Sequence, residues 1–341
     1  MPEHPADLWE ADGERVHCLL CPHSCRIAPG HTGVCGVRRN DDGALVALTY
    51  GLASSIAIDP IEKKPVFHYR PGTTALSLGS VGCTMKCGHC QNWQISRAGP
   101  GDGTLQELSP ETAVEYAVGH GCGGIAFTYN EPVIWAEYVR DCGRLAHESG
   151  LYSVMVTNGY ITQAGLDYLA DAVDVWRVDV KGMTDEAYRH LCKVPSPRPV
   201  LDMAERARKV HGMHVEVVTN VVPGINDDEA QLSALAEWIA TAIGVDTPWH
   251  VTRFFPYLDF ADIPATPLRT LRRAREIGRE AGLHFVYLGN VSEPGGEDTV
   301  CPACGATAVE RDGFAVRHDT TRDGRCGGCG GSLNLIGGGR R

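Results

Sequence analysis

The cysteines constrain this chain most, because 11 of the 14 fall into three tight groups. A chain of 341 residues buries roughly three quarters of its unfolded surface and needs no disulfides to hold a core. Grouped thiols in such a chain are typical of metal ligands in a reducing, cytoplasmic compartment. The groups are Cys18, Cys21, Cys25 and Cys35; Cys83, Cys87 and Cys90; and Cys301, Cys304, Cys326 and Cys329.

Composition excludes several classes of protein. The chain has 31 basic and 42 acidic residues, a net charge of −11, which argues against a duplex nucleic-acid binder. No apolar run reaches the length of about 18 residues that a membrane-spanning helix needs. The polar, acidic N-terminus does not resemble a signal peptide. We therefore expect a globular protein with no membrane partner.

Between the second and third cysteine groups, short apolar runs alternate with helical patterns. Such alternation predicts parallel strands joined by right-handed crossovers, and six or seven units suit a partial (β/α)6-type TIM barrel. A doubly wound open sheet is the alternative. The predicted strands are 74–80, 124–129, 152–158, 175–180, 214–222, 249–255 and 284–288. The predicted helices are 110–119, 133–148, 162–172, 199–211, 227–243 and 267–281.

Both ends of the chain lack this rhythm and carry a cysteine group. We expect an N-terminal cysteine-rich module (1–70), a partial barrel (71–292) and a small C-terminal module (293–341). Proline is expected at the first helical position after Ser109 and after Thr266, and Asp227 is expected to cap the helix that follows it.

The central group reads C-x3-C-x2-C and follows the first predicted barrel strand. Three thiolates can hold three irons of a cubane cluster, whereas a structural zinc or a fully ligated four-iron cluster takes four protein ligands. The missing ligand leaves one iron open to a non-protein group. The alternative is a zinc site completed by His89 or a distant residue.

The central motif resembles that of the radical S-adenosylmethionine (SAM) enzymes. The resemblance implies that Cys83, Cys87 and Cys90 hold a [4Fe-4S] cluster whose open iron binds the amino and carboxylate groups of SAM. It further implies reductive cleavage of SAM to methionine and a 5′-deoxyadenosyl radical, which abstracts hydrogen from a substrate. The protein would bind and orient the cofactor and exclude water.

Three longer segments resemble a narrower branch. Residues 59–65 (DPIEKKP), 90–96 (CQNWQIS) and 127–132 (FTYNEP) are similar to the enzymes related to pyruvate formate-lyase activating enzyme. More narrowly, with head residues 20–38 and tail residues 301–305, they resemble the radical SAM enzyme of the AmmeMemoRadiSam system. This resemblance implies a flavodoxin or ferredoxin as electron donor and companion proteins of that system.

Polar residues recur at the carboxyl ends of the predicted strands, where parallel barrels collect their chemistry. Glu131 is the candidate acceptor for the SAM ammonium, and Lys181 or Arg253 for pairing with its carboxylate. Asn158 and Asp179 are candidates for the ribose hydroxyls or an inner network. The full candidate set for SAM is Asn130, Glu131, Thr157, Asn158, Asp179, Lys181, Asn220 and Arg253.

Other interpretations of these residues stay open. Glu131 can cap a helix beginning at Pro132, and Asp179 with Lys181 can form a plain structural pair. Arg253 can pair with a nearby carboxylate, and Asn220 can belong to turn chemistry. The relatives carry Gly-Gly-Glu-Pro where this chain has residues 129–132 (YNEP), so the local backbone contact can differ. Residues 62–64 and His68 form either a solvated connector or part of the substrate mouth.

The two outer cysteine groups predict further metal sites. Cys301-x2-Cys304 and Cys326-x2-Cys329 form a zinc-ribbon pattern, with residues 308–318 as its hairpin and a single iron as the alternative metal. The head group reads C-x2-C-x3-C-x9-C. Zinc is the first expectation there, an auxiliary iron–sulfur cluster is the second, and uncoordinated thiols are the third. The three other cysteines, Cys122, Cys142 and Cys192, are interpreted as small buried hydrophobes.

Three functions compete. The first is a radical SAM enzyme acting on an unidentified substrate in an AmmeMemoRadiSam-type system. The second is a glycyl-radical activase acting on a protein glycine. The third is a metal-bound scaffold without catalysis.

Overall fold

The computed structural model describes residues 4–337, which fall into two compact units. Within the described residues, unit 1 comprises Met1–Asp59, Thr74–Trp176 and Arg198–Met213. Unit 2 comprises Pro60–Thr73, Arg177–Pro197 and His214–Arg341. The units interleave along the chain, so the boundaries expected at residues 70 and 292 remain a proposal about domains.

The head of the chain folds into short strands instead of strand–helix pairs. Strands β2, β3 and β4 form one antiparallel sheet, and β1, β6 and β5 form another. The strands are β1 (His4–Pro5), β2 (Trp9–Asp12), β3 (Arg15–Cys18), β4 (Arg26–Ile27), β5 (Arg38–Asp41), β6 (Ala44–Ala47), β7 (Leu52–Ala53) and β8 (Ser55–Pro60).

Strands and helices alternate from Thr74 to Gly289, as the sequence predicts. The strands are β9 (Thr74–Gly79), β10 (Gln106–Glu107), β11 (Gly124–Phe127), β12 (Tyr152–Thr157), β13 (Val175–Asp179), β14 (His214–Val221), β15 (Trp249–Arg253) and β16 (Val286–Gly289). The helices are α1 (Trp93–Ser96), α2 (Pro110–Gly119), α3 (Ala136–Glu148), α4 (Gln163–Leu169), α5 (Asp185–Cys192), α6 (Arg198–Lys209), α7 (Glu229–Trp238) and α8 (Leu268–Glu280).

Within unit 1, β9, β11 and β12 pair in parallel. Gly124 lies opposite Ala75 on one side and Tyr152 on the other, which fixes the register. Strand β11 is buried along its whole length, and helices α2 and α3 contact it. Buried parallel strands with helical crossovers place the carboxyl ends of β9, β11 and β12 at one edge.

Within unit 2, β14, β15 and β16 also pair in parallel, with Trp249 opposite Val217 and Val286. Helix α8 contacts β15 and β16, and it packs against α7. The tail forms β17 (Thr299–Val300), β18 (Thr307–Asp312) and β19 (Ala315–Asp319), paired antiparallel in that order. The hairpin expected over residues 308–318 is therefore confirmed.

The starts of three helices test the predictions made from local sequence signals. Pro110 is the first residue of α2, as predicted, and the Ser109 hydroxyl caps the helix by accepting a 3.2 Å hydrogen bond from the Thr112 N–H. The prediction for Asp227 was wrong, because Asp228 caps α7 by accepting from the Gln231 N–H. The prediction of proline at the first helical position after Thr266 was also wrong, because α8 begins at Leu268 and Pro267 is its N-cap residue.

The connector from Pro60 to Thr73 is largely buried, so its interpretation as a solvated segment was wrong. Glu62 is 2% exposed and His68 is fully buried. The Glu216 carboxylate, also fully buried, accepts the backbone N–H groups of Phe67 and His68 at 2.8–3.0 Å. These bonds fix the connector onto β14, because a buried carboxylate is stable only when its oxygens are hydrogen-bonded.

No helix within residues 4–337 is both long enough and apolar enough to cross a membrane.

Candidate functional site

The central cysteine loop begins directly after β9 in unit 1. Cys83 is 9% exposed, while Cys87 and Cys90 are partly exposed. Burial raises the pKa of the Cys83 thiol well above its usual range, and the nearby Glu131 carboxylate raises it further. A thiolate at Cys83 therefore needs a cation beside it, and a bound metal cluster supplies that cation.

Hydrogen-bond donors surround these sulfurs. The Met85 N–H donates to Cys83 Sγ at 3.4 Å, and the Asn158 amide nitrogen lies 3.7 Å from the same sulfur. The Ser96 hydroxyl is 3.3 Å from Cys90 Sγ. Donors to cluster thiolates are one of the means by which a protein tunes an iron–sulfur centre.

The spacing of the central sulfurs does not fit a single ion. Within residues 4–337, the only group of three or more Cys, His, Asp or Glu residues with all ligand atoms within 4.8 Å of one another lies in the C-terminal tail. Four thiolates at about 2.3 Å from one zinc stand only about 3.8 Å apart. The central cysteines are spread more widely, which favours a cluster over a zinc site completed by His89.

Glu131 lies at the centre of a buried network at the carboxyl ends of β11 and β12. It is 2% exposed. Its Oε1 accepts the Thr157 hydroxyl at 2.6 Å and the Val133 N–H at 3.0 Å, and its Oε2 accepts the Asn158 N–H at 2.8 Å. The bond from Val133 confirms the interpretation of Glu131 as a cap for the helical turn that begins at Pro132.

Three predicted residues, Glu131, Thr157 and Asn158, therefore form one network, and Asn158 extends it to Cys83. The Asn158 amide donates to the Thr84 hydroxyl at 3.0 Å, and its oxygen accepts the Tyr160 N–H at 2.9 Å. Asn158 thereby connects the end of β12 to the cysteine loop, while Glu131 holds Asn158 from the other side. The network fixes the backbone on which a cofactor would rest.

Asn130 acts on the first part of the same loop. Its Oδ1 accepts the Ser80 N–H at 3.0 Å, and its Nδ2 donates to the Gly82 carbonyl at 3.0 Å. Two contacts that the sequence did not predict fix the second part. Asn92 donates to the Tyr129 carbonyl at 2.8 Å, and Arg97 donates to the Cys87 carbonyl at 3.2 Å.

Tyr129 stands where the relatives carry glycine, yet it keeps a left-handed backbone with φ of 74°. A bulky residue in that region is an outlier that its surroundings must hold in place. Its hydroxyl donates to Asp59 Oδ2 at 2.8 Å. Burial and this carboxylate raise the pKa of Tyr129 to about 12. The backbone at this position is therefore left-handed although tyrosine stands where the relatives carry glycine.

In unit 2, Asp179 pairs mainly with a residue that was not predicted. Arg177 Nη1 donates to Asp179 Oδ2 at 2.7 Å, whereas Lys181 Nζ lies 3.9 Å from Asp179 Oδ1. Asp179 is therefore a carboxylate held by two cations, closest to the arginine.

The loops after β13 and β14 are joined by Asn226, which the sequence did not single out. Its side chain is 1% exposed. Its amide donates to the carbonyls of Lys181 and Asn220 at 2.9 and 3.0 Å, and its oxygen accepts the Val222 N–H at 2.6 Å. Asn226 thus positions the backbone of two predicted residues, Lys181 and Asn220.

Arg253 ends β15, where its side chain contacts a backbone carbonyl and an aromatic ring. Its Nε donates to the Thr266 carbonyl at 2.9 Å, and its guanidinium carbon lies 5.2 Å from the centre of the Phe255 ring. A cavity of about 440 Å³ elsewhere in unit 2 is lined by Met183, Thr184, His190, Asp228 and Gln231, among other residues, and by none of the predicted site residues.

Comparison with known proteins decides the family. Residues 78–236 match the Radical SAM superfamily. The chain is 40% identical over 327 residues to "Uncharacterized protein MJ0808" of Methanocaldococcus jannaschii, covering 95% of this chain and 97% of that one. The chain belongs to the radical SAM superfamily. Membership implies a [4Fe-4S] cluster and SAM as cofactors, and the widely spaced cysteines after β9, of which Cys83 is buried, fit such a cluster.

More distant radical SAM proteins support the activating-enzyme relationship and the fold. The pyruvate formate-lyase 1-activating enzyme of Escherichia coli (strain K12) is 28% identical over 165 residues, covering 46% of this chain and 65% of the enzyme. A radical SAM methyltransferase from Sphaerobacter thermophilus superposes with a TM-score of 0.50 at 18% identity, covering 69% and 70% of the two chains. The predicted α/β fold with a partial TIM-type barrel is confirmed.

The tail of this radical SAM protein carries a ready metal site in unit 2. The sulfurs of Cys301 and Cys329 are 3.6 Å apart, and those of Cys304 and Cys326 are 3.8 Å apart. These separations match the edge of a tetrahedron of thiolates around one ion. The predicted four-cysteine site is therefore present.

The head cysteines lie in unit 1, with Cys18 and Cys35 buried and Cys21 and Cys25 partly exposed. The Cys18 N–H donates to the Cys25 carbonyl at 2.9 Å, which brings the two ends of the first knuckle together. Burial raises the pKa of the Cys21 thiol, and the charges of the other three head cysteines raise it further. None of the 14 cysteines, all of which lie within residues 4–337, forms a disulfide.

Proposed function

We propose that this radical SAM protein is an enzyme in which Cys83, Cys87 and Cys90 hold three irons of a [4Fe-4S] cluster and the fourth iron binds SAM. When bound, these cofactors supply the 5′-deoxyadenosyl radical that takes a hydrogen atom from the substrate, leaving methionine. The observation that carries the proposal is the three-cysteine loop after β9, backed by the buried Glu131–Asn158 network.

The unit 1 residues bind and orient the cofactor. Glu131 is the proposed acceptor for the SAM ammonium, since a carboxylate that is 2% exposed gains most from an adjacent cation. Thr157 and Asn158 hold that carboxylate by 2.6 and 2.8 Å hydrogen bonds. Asn130 fixes the backbone on both sides of Val81 through Ser80 and Gly82. Positioning of this kind is the protein's share of radical chemistry.

For unit 2 we propose that polar groups at its strand ends contact SAM. Lys181 or Arg253 would pair with the SAM carboxylate, and Asp179 would accept ribose hydroxyls. Asn220 is proposed as a further cofactor contact, with its carbonyl held by Asn226.

The first experiment measures cofactor and chemistry on one sample. Anaerobically reconstituted protein is assayed for iron, for acid-labile sulfide, and for 5′-deoxyadenosine formed from SAM under dithionite. Cys87→Ala should lose the iron of the central cluster and all 5′-deoxyadenosine. Cys122→Ala is the matched control, because Cys122 is a buried cysteine outside the three groups. Equal central iron in Cys87→Ala and the parent would overturn the ligand assignment.

We propose that the substrate belongs to an AmmeMemoRadiSam-type system with companion proteins, and that a flavodoxin or ferredoxin delivers the electron. The support is the resemblance of residues 20–38 and 301–305 to that branch, outside the core motifs of the activating enzymes, which align with about half of this chain. Genes that neighbour the coding sequence identify the companions to test. We also propose that the protein lies in the cytoplasm, where its cysteines, none of which forms a disulfide, would stay reduced.

A second candidate is a glycyl-radical activase. It is favoured by the relatives named for activating pyruvate formate-lyase, isethionate sulfite-lyase and benzylsuccinate synthase. It predicts a glycine-centred radical signal on a co-encoded polypeptide after incubation with SAM and reductant. A small-molecule product and no polypeptide radical would favour the first candidate. Formation of 5′-deoxyadenosine by either route excludes a non-catalytic scaffold.

We also propose metal at both outer cysteine groups. The tail site has the sulfur spacing of one tetrahedral ion, and zinc is the ion proposed there. It would stabilise the β17–β19 module, because binding free energy at such sites is folding free energy.

A further inference from the structure

The segment that carries the head cysteines packs directly against the central cysteine loop. The Cys35 carbonyl oxygen lies 2.5 Å from the place where a Cβ on Gly82 would stand. Gly82 has φ of +86° and immediately precedes Cys83. Only glycine fits such a position, since a side chain there would meet both backbone strain and a carbonyl. The last cysteine of the head and the first cysteine of the loop are therefore in adjoining backbone segments.

A second contact joins the same two segments. His23 lies between Cys21 and Cys25, and its Nε2 is 2.6 Å from the Thr84 carbonyl, directly after Cys83. The His23 ring also packs edge-on against Tyr160 at 5.2 Å. The head thus touches the central loop on both sides of Cys83.

The head is also fixed to the helices of unit 1. Arg38, three residues after Cys35, forms a bidentate ion pair with Glu137 of α3, with both N–O distances at 2.9 Å. Both side chains are almost fully buried. The Thr162 N–H and hydroxyl hold the carbonyls of Leu20 and Leu19, beside Cys21. A segment held this firmly presents its sulfurs in one arrangement.

The sulfurs of the head cysteines lie further apart than those of the tail cysteines. The tail sulfurs approach to 3.6 and 3.8 Å, as four ligands of one ion must. No three of the four head sulfurs, all within the described residues, lie within 4.8 Å of one another. A polynuclear cluster places several irons between its thiolates, so its sulfurs stand further apart than around a single ion.

We propose that Cys18, Cys21, Cys25 and Cys35 bind a second iron–sulfur cluster, fully ligated by protein, that adjoins the loop of the central cluster. Four thiolates are the usual ligand set of such a cluster. This departs from the zinc that the sequence alone favours. The proposal concerns a separate ligand set, so it stands or falls independently of SAM cleavage at the central site.

The test counts metal in three variants of the full chain, purified and reconstituted without oxygen. One variant replaces Cys83, Cys87 and Cys90 with serine. The second is Cys21→Ser with Cys25→Ser. The third, Cys304→Ser with Cys329→Ser, is the matched control at the exposed cysteines of the tail. Iron, zinc and sulfide are measured per chain, with electron paramagnetic resonance of the dithionite-reduced protein.

A second cluster predicts about eight irons in the parent and about four in each of the first two variants, for two four-iron clusters. The variant lacking the central cysteines should keep a cluster signal that does not respond to SAM. The tail variant should keep all of its iron. Absence of iron from the central-cysteine variant would overturn the proposal, whether that variant holds about one or about two zinc ions per chain. Far-ultraviolet circular dichroism checks that the head variant is folded. Its spectrum should match that of the tail variant.

Discussion

The Tyr129 hydroxyl donates a 2.8 Å hydrogen bond to Asp59 Oδ2 while the Tyr129 backbone stays left-handed at φ of 74°. Such a conformation costs about 1–3 kcal/mol for a bulky residue. Gly79 makes room for it, since a Cβ there would lie 3.0 Å from the Tyr129 ring. Strain is therefore held at the residue that leads into Asn130 and Glu131, the two proposed cofactor residues.

Tyr129→Phe tests this relationship. Removing the hydroxyl should lower the free energy of unfolding by about 1.5–3 kcal/mol, because a hydrogen bond to a charged group is lost. It should also weaken SAM binding severalfold, because the turn before Glu131 loses its support. The measurements are denaturant unfolding and SAM titration of the reduced protein by paramagnetic resonance.

Tyr50→Phe is the matched control for Tyr129→Phe. The Tyr50 hydroxyl donates to Asp141 at 2.7 Å, also in unit 1, and neither residue belongs to the candidate site. A similar stability loss with unchanged SAM binding is expected. Equal weakening of SAM binding in both variants would show that Tyr129 acts only through stability.

Gly82→Ala should cost more stability than Gly36→Ala. Both glycines have positive φ, +86° and +80°, so both substitutions share the backbone penalty of about 1 kcal/mol. Only Gly82 has the Cys35 carbonyl 2.5 Å from the new Cβ, whereas Gly36 has nothing within 4 Å. The difference should be about 1–3 kcal/mol in urea unfolding, the usual cost of overpacking.

Cluster content gives Gly82→Ala a second readout. Displacement of the Gly82 backbone moves Cys83, so the visible absorbance of the central cluster should fall, while Gly36→Ala should keep it. Unchanged absorbance and equal stability in the two variants would contradict the close approach of the head to the central loop.

The sequence predicted the strands and helices of the barrel because long apolar runs and end signals agree with each other. Helix α2 matches its predicted bounds, 110–119, since Ser109 and Pro110 mark its start. Helix α5 was missed although Thr184 caps it and Asp185 and Glu186 occupy its first turn. The signal was present but lay in a short segment of eight residues, where periodicity is weak.

The site was only partly predictable, because much of it depends on folding. The spacing of the central cysteines predicts a cluster loop, and the positions of Glu131 and Asn158 at strand ends mark them as candidates. Asn226 holds two loops whose proximity the sequence does not show. The left-handed Tyr129 also carries no local signal, since tyrosine rarely adopts that conformation.

His68 should make the protein less stable in mild acid. Burial lowers the pKa of His68 to about 3, against about 6.5 when unfolded. Between those values the unfolded chain binds the extra proton, so stability falls as pH decreases through this window. From pH 7 to pH 4 this single group should remove about 3 kcal/mol.

His68→Gln checks this pH dependence, since glutamine can still donate to the Tyr287 hydroxyl that His68 Nε2 contacts at 2.6 Å. The loss of unfolding free energy between pH 7 and pH 4 should be smaller in the variant than in the parent. His120→Gln, at an exposed site in unit 1, should retain the parent's slope. The same slope in the parent and both variants would assign the acid sensitivity to other groups.

Cys304→Ser with Cys329→Ser should remove one zinc per chain and leave iron unchanged. These two thiols are the exposed members of the tail site, so their loss removes ligands without opening a core. Hydrogen exchange should become faster across β18 and β19, because the metal stabilises that hairpin. Elemental analysis and exchange are compared with Cys122→Ala, which should change neither. Loss of one iron in place of zinc would identify a rubredoxin-like centre at the same four sulfurs.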